Sequence, residues 1–146
     1  MRTRTAVWYE TTVRHERQAE DGGQKMVSEV YVVDALNFAE AEQRITEEIH
    51  PYCSGEFDVK KIAIAPYTEV VFSGDEKDDK FFRATVALIS IDERTGKEKK
   101  SNVNYLVQAE NIETARRYVV DVFFSAQLDC EINRLVETKI LDVFEK

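Results

Sequence analysis

The sequence is short of the residues that staple chains, bind metals or cross membranes. Its 146 residues hold two cysteines and two histidines. Cys53 and Cys130 show no paired spacing, which excludes a disulfide framework and a zinc ribbon. No run of roughly 18 apolar residues occurs, so no helix is expected to span a membrane. Behind Arg2 and Arg4 the chain continues Thr5-Ala6-Val7-Trp8, without the apolar stretch of a secretory signal. These absences give the expectation of a cytoplasmic protein with free thiols and no membrane attachment. Positive charge is also scarce. The formal net charge is −8, which favours solubility and opposes general attraction to nucleic acid or an anionic membrane.

What is present suffices for a core. Hydrophobic residues make up 43% and charged residues 33%, a globular composition. The length suits one domain, residues 1–146, at the usual ~100–200 residues.

The strongest pattern is internal. Shifted by 74 positions, Tyr31-Val32-Val33-Asp34-Ala35-Leu36-Asn37-Phe38 lies over Tyr105-Leu106-Val107-Gln108-Ala109-Glu110-Asn111-Ile112. Ala41, Ile45 and Ile49 fall on Ala115, Val119 and Phe123. Upstream, Trp8 falls on Phe82, Thr11 on Thr85, Gly22 on Gly96 and Lys25 on Lys99. Downstream, with one residue dropped, Glu69-Val70 falls on Asp142-Val143.

Each half repeats one grammar. Ala6–His15 is rich in aromatic and β-branched residues, as strands are. Glu20-Asp21-Gly22-Gly23 turns the chain, and Lys25–Asp34 returns as a second strand. Asn37 is placed to cap a helix, with Glu40 three residues on to reach back. Phe38, Ala41, Ile45, Ile49 and Tyr52 form one helical stripe, which Pro51 and Ser54-Gly55 end. Val59, Ile62 and Ile64 mark a third extended segment, broken by Pro66. In the second half Phe81–Ile91 is a strand, Asp92–Gly96 a turn and Ser101–Val107 a strand. Asn111 is a cap, and Ile112, Ala115, Val119, Val122 and Ala126 form the stripe. Glu131–Leu141 is extended, though Glu131–Val136 also reads as helix.

The expected fold is therefore α+β: two ββαβ repeats, 5–72 and 81–146, related by a pseudo-twofold axis and joined by an acidic linker, 73–80. The sheet is expected to be mainly antiparallel, with both helices packed on one face. Six strands in one continuous sheet and six in two facing sheets both satisfy the pattern.

Chemical motifs are weak. His50 and Cys53 stand three apart near a helix end, and only His15 and Cys130 could join them as soft ligands, so no metal and no cofactor are expected. No elbow or glycine-rich loop surrounds either histidine, and neither G-x-G-x-x-G nor a P-loop occurs. The acidic linker lacks an EF-hand pattern and reads as solvated. No catalytic residue emerges, and the chain is not read as an enzyme. Basic residues cluster in two places: Lys97, Lys99 and Lys100 at a hairpin tip, and Arg2 and Arg4 at the N-terminus. With Trp8, Tyr9 and Tyr31 they outline a stacking surface for single-stranded nucleic acid. Lys60-Lys61 is a further basic spot.

Several segments resemble an uncharacterised family of small proteins, a domain of unknown function associated with gut bacteria of the Bacteroides type and their phages. They are Met1–Ala6 with Trp8-Tyr9-Glu10, Tyr31–Leu36, Ser54–Asp58, Ile91-Asp92-Glu93, Thr95–Lys99, Tyr105–Gln108 and Asp142–Glu145. The resemblance spans nearly the whole chain and implies no catalytic residue. The leading functional expectation is a non-enzymatic intracellular protein-interaction module with an unknown protein partner, able to form a homodimer through a sheet edge. The alternative is a regulator of nucleic-acid transactions. It would bind directly through the basic hairpin tip, or mimic nucleic acid through the acidic helix face from Glu40 to Glu48.

Overall fold

The structure, a computed structural model, describes residues 1–53, 55–126 and 129–146. Ser54 and Leu128 lie outside these residues, so the helix stop expected at Ser54 is not addressed. Among the described residues the strands are β1 (Arg2–Thr5), β2 (Trp8–Gln18), β3 (Gln24–Asp34), β4 (Phe57–Ile64), β5 (Glu69–Phe72), β6 (Lys80–Ile91), β7 (Glu98–Ala109), β8 (Cys130–Glu137) and β9 (Ile140–Phe144). The helices are α1 (Phe38–Ile49) and α2 (Ile112–Ser125), and a 3-10 turn, His50–Tyr52, follows α1. The fold is mixed α+β with two sheets. Glu131–Val136 is strand, not helix.

The chain divides into two compact units whose boundaries cross the expected halves. One holds Ala6–Pro66 and Lys139–Lys146, with sheet order β4-β2-β3-β9. The other holds Met1–Thr5 and Tyr67–Thr138, with order β1-β5-β7-β6-β8. The segment Glu69–Phe72, expected with the first half, thus pairs with β7, while β9 pairs with β3. Both of these pairings are parallel, and the others are antiparallel.

The α1 unit forms as its sequence directs. Gly22 at φ 85° lets the chain turn between β2 and β3. Asn37 Oδ1 accepts from the Glu40 amide at 2.8 Å and caps α1. Tyr9, Val13 and Val33 meet Ala41, Ile45 and Ile49 in the core. Tyr52 is exposed, and Phe38 is half exposed at the sheet's end, so the expected stripe is shorter by one residue at each end.

The α2 unit obeys the same rules. Gly96 at φ 68° turns the chain between β6 and β7, and Asn111 Oδ1 accepts from the Thr114 amide at 2.9 Å. Phe82, Ala84, Val86 and Val107 pack against Ala115, Val119 and Phe123. Ile112 and Ala126, expected in the stripe, are exposed.

Three pairs of the parallel ladders occupy matching places in the two units. Tyr31 faces Asp142, Val32 faces Val143 and Val33 faces Phe144; Tyr105 faces Glu69, Leu106 faces Val70 and Val107 faces Val71. β4 slips by one residue at Lys60, between Val59 facing Val13 and Lys61 facing Thr12. β8 slips at Asn133, between Ile132 facing Val86 and Arg134 facing Thr85. By these markers Trp8 stands where Phe81 stands and Tyr9 where Phe82 stands, an offset of 73 instead of 74. The pairing of Trp8 with Phe82 and Thr11 with Thr85 is corrected accordingly. Its cause is turn length: β2 and β3 are joined by residues 19–23, β6 and β7 by residues 92–97, one residue longer.

Of residues 73–80, expected as a solvated linker, Gly74–Lys77, Asp79 and Lys80 are exposed, and Asp78 departs from the pattern. Asp78 is buried, its carboxylate accepts from the Tyr118 hydroxyl at 2.7 Å, and its carbonyl accepts from Gln108 Nε2 at 2.9 Å.

Ile45 and Val119 are fully buried mid-helix. Ile45→Asp and Val119→Asp are each expected to cost several kcal/mol against a total of roughly 5–15 kcal/mol. Thermal melting checks this, and wild-type transitions in both variants would show that these helix faces do not build the cores.

Candidate functional site

The basic residues singled out in sequence do not converge. Arg2 and Arg4 lie on β1, level through β5 with the Leu106 end of β7, and the Arg2 guanidinium sits 4.3 Å over the Phe72 ring. Lys97 is in the turn, and Lys99 and Lys100 begin β7, with Lys100 paired to Glu131 at 3.3 Å. Lys100 and Leu106 stand six strand steps apart, about 20 Å at ~3.3 Å each. Trp8 and Tyr9 are buried, and Tyr31 stacks on Phe144 with centroids 5.5 Å apart, so the expected stacking surface is not formed. Lys60 pairs with Asp58 at 3.5 Å.

The soft-ligand candidates do not assemble either. His50 is exposed, while His15 is buried in β2 against Glu29. Among the described residues no group of three or more His, Cys, Asp or Glu side chains is placed to hold a metal. Burial, then the charge of Glu29, pushes the Cys53 thiol above its ordinary range; burial, then Asp129, does the same to Cys130. A nucleophilic thiol needs the opposite shift.

Two buried polar assemblies distinguish the α1 unit. In the first, Arg44 donates to the Asp34 carboxylate and carbonyl, and Asp34 Oδ1 also accepts from the Lys146 amide at 2.8 Å. Lys146 Nζ lies 2.9 Å from Glu40, whose carboxyl is held below its usual range chiefly by that hydrogen bond. The matching place in the α2 unit is neutral: Gln108 Oε1 accepts from the Ser73 amide at 3.1 Å.

In the second assembly, both nitrogens of His15 face acceptors, the Glu16 carbonyl at 3.2 Å and the Glu29 carboxylate. Arg17 lies within 3.3 Å of both Glu29 oxygens. His15 stands two residues past Val13, and Glu29 faces Val13. The α2 unit has Leu88 two residues past Val86, and Val103 facing Val86. An apolar pair thus satisfies the same ladder.

A group of exposed apolar residues lies at the end of the α1 unit's sheet away from His15. There Val7 is 55% exposed, Leu36 83%, Phe38 50% and Ile64 61%. The Val7 carbonyl accepts from the Ala35 amide, the Phe38 ring lies edge-on to Tyr9 at 5.1 Å, and Ile64 faces Tyr9 across the ladder. At the same positions the α2 unit carries Lys80, Glu110, Ile112 and Glu137, with Lys80 and Glu137 paired at 3.6 Å. Neither the patch nor the buried pair could be found from the sequence without the 73-residue offset.

Compared with known families, residues 7–146 match a domain of unknown function, DUF4494. The chain belongs to the DUF4494 family. No curated protein and no solved structure matches it. The DUF4494 match assigns no activity, and it begins after β1, leaving Arg2 and Arg4 outside. No helix among the described residues is long and apolar enough to cross a membrane.

Two predictions follow from the buried groups. Removing one member of the His15–Glu29 pair, as His15→Leu or Glu29→Val, is expected to cost ~1–3 kcal/mol, because the other loses a buried hydrogen-bond partner. The double variant installs the Leu–Val combination of the α2 unit and is expected to cost less than either single change, which denaturant melting of the four chains measures. The second concerns alkali. Burial first, and then Glu29, raises Tyr31 from 10.0 to about 12; burial first, and then Glu69, raises Tyr105 from 10.0 to about 12. A phenol raised on folding contributes its stability in full below its unfolded pKa and loses it as pH climbs through the folded one. Stability is therefore expected to fall between about pH 10 and 12, and Tyr31→Phe with Tyr105→Phe to flatten the fall.

Proposed function

We propose that the chain is a protein-interaction module that catalyses no reaction, built by duplication of one ββαβ unit. Its α1 unit docks a basic, apolar-anchored segment of a partner protein on Val7, Leu36, Phe38 and Ile64. The observation that carries this reading is the contrast between the units. The ladder tolerates Lys80, Glu110 and Glu137 at these positions, so the fold does not require apolar residues there. Exposed apolar groups gathered at one end of a sheet, where the fold does not need them, are what an interface needs.

Charge selects the partner. Helix α1 starts at the patch and carries Glu42, Glu47 and Glu48 besides Glu40, which Lys146 already pairs, while its one cation, Arg44, is turned onto Asp34. A segment with leucine-like anchors flanked by lysine or arginine is complementary to that surface. Sheet edges serve less well. β4 and β8 each carry a bulge and charged side chains, and β1 and β9 have only four and five residues, all features that oppose strand addition. The raised thiols support a module without nucleophilic chemistry, and two unpaired cysteines suit a reducing, intracellular setting.

The test is a triple variant, Val7→Lys, Leu36→Glu, Ile64→Glu, which writes the α2 residues onto the α1 unit. Its melting is expected to stay within about 1 kcal/mol of wild type, since surface changes rarely cost more. A synthetic amphipathic Leu/Lys peptide is expected to bind the wild type at least ~10-fold more tightly than the variant, about 1.4 kcal/mol. A Leu/Glu peptide is expected to bind neither. Equal binding of the Leu/Lys peptide to both chains, or none to the wild type, overturns the reading. A wild-type dimer that the variant dissolves assigns the patch to a second copy and overturns it too.

A further inference from the structure

The strand β9 occupies a seat built by β3 and α1. In the ladder Ile140 lies beside Val30 and Val143 beside Val32, while Phe144 packs against the core beneath α1 and its ring stacks on Tyr31. Arg44 donates to the Phe144 carbonyl at 3.4 Å, Asp34 takes the Lys146 amide, and Glu40 takes the Lys146 ammonium. Everything the seat recognises therefore lies within Lys139–Lys146. The strand before it, β8, belongs to the other compact unit, and Thr138 and Lys139 join β8 to β9. None of these named contacts requires that the occupant come from the same chain.

We propose that the β3–α1 groove is a strand-accepting site, and that its second occupant is Lys139–Lys146 of another copy of this chain, two copies exchanging their C-terminal strands. The two-residue hinge favours exchange, because a short hinge has little slack to fold the strand back. At low concentration the tethered strand wins, since a short tether holds it at an effective concentration on the order of millimolar. Exchange sets in as the protein approaches that range.

Three full-length chains test this: wild type, one with Gly-Gly-Ser inserted between Thr138 and Lys139, and one lacking Lys139. Each is annealed near its melting midpoint at about 1 mM, the effective-concentration range, then cooled and measured by light scattering. The expected result is a twofold-mass species in the wild type, more of it without Lys139, and less with the insertion. The register places Tyr31 beside Asp142. A Tyr31→Cys chain annealed with an Asp142→Cys chain, both with Cys53→Ser and Cys130→Ser, should give a mixed disulfide dimer on oxidation with diamide. Wild-type protein that stays monomeric, or dimers without the mixed disulfide, overturn the proposal. Should the chain lacking Lys139 fail to fold, the wild-type and mixed-disulfide arms still decide. The Val7→Lys, Leu36→Glu, Ile64→Glu variant keeps the whole seat and should exchange as the wild type does, so this proposal and the docking reading fail separately.

Discussion

The second strand of each hairpin has two edges, and its own hairpin satisfies only one. β3 and β7 each present a second row of amides and carbonyls, which would be costly to leave unpaired beside a core. In both units a short parallel strand fills that row, and it arrives from across the unit boundary. The rest of the chain's path follows from this. Residues 65–68 carry the chain out of the α1 unit to β5, and Thr138-Lys139 carry it back to β9.

The end of each borrowed strand is tied by a side chain from the strand it joins. Asp34 accepts the amide of Lys146, two residues past β9, and Gln108 that of Ser73, one residue past β5. The amide solution is neutral and extends through Gln108 and Tyr118 to Asp78. The carboxylate solution needs Arg44, because a buried charge without a partner is costly. One geometric demand is thus met by two chemistries. The second leaves α1 without an outward cation, and that sets the sign of the surface beside the exposed patch.

Much of this was legible in the sequence. Gly22 and Gly96 marked the turns, Asn37 and Asn111 the caps, and Ile45 and Val119 the cores, because each depends on neighbours within a few residues. The similarity of Glu69-Val70 to Asp142-Val143 was legible too, but not its meaning. A strand of four or five residues carries no local signal of which distant edge it will join. The offset of the first strands was misread because a single extra residue in a polar turn costs nothing and leaves no trace in composition. That error hid both contrasts that point toward function, Val7 and Ile64 against Lys80 and Glu137, and His15 against Leu88. The basic clusters were legible as residues, yet strand length holds Lys100 and Arg4 apart.

Borrowing β9 also sets an order of events at the ribosome. Val30 pairs with Ile140, so about 110 residues must be made after β3 before its outer edge can be closed. At the usual ~5–20 residues per second that is a wait of roughly 5 to 20 s. Throughout it the first hairpin and helix stand beside an open, apolar edge of the kind that invites chaperones and neighbouring nascent chains. The second unit needs no such wait, because β5 has been translated before β7 emerges. The α1 unit, whose hairpin and helix precede those of the α2 unit in synthesis, is therefore completed last.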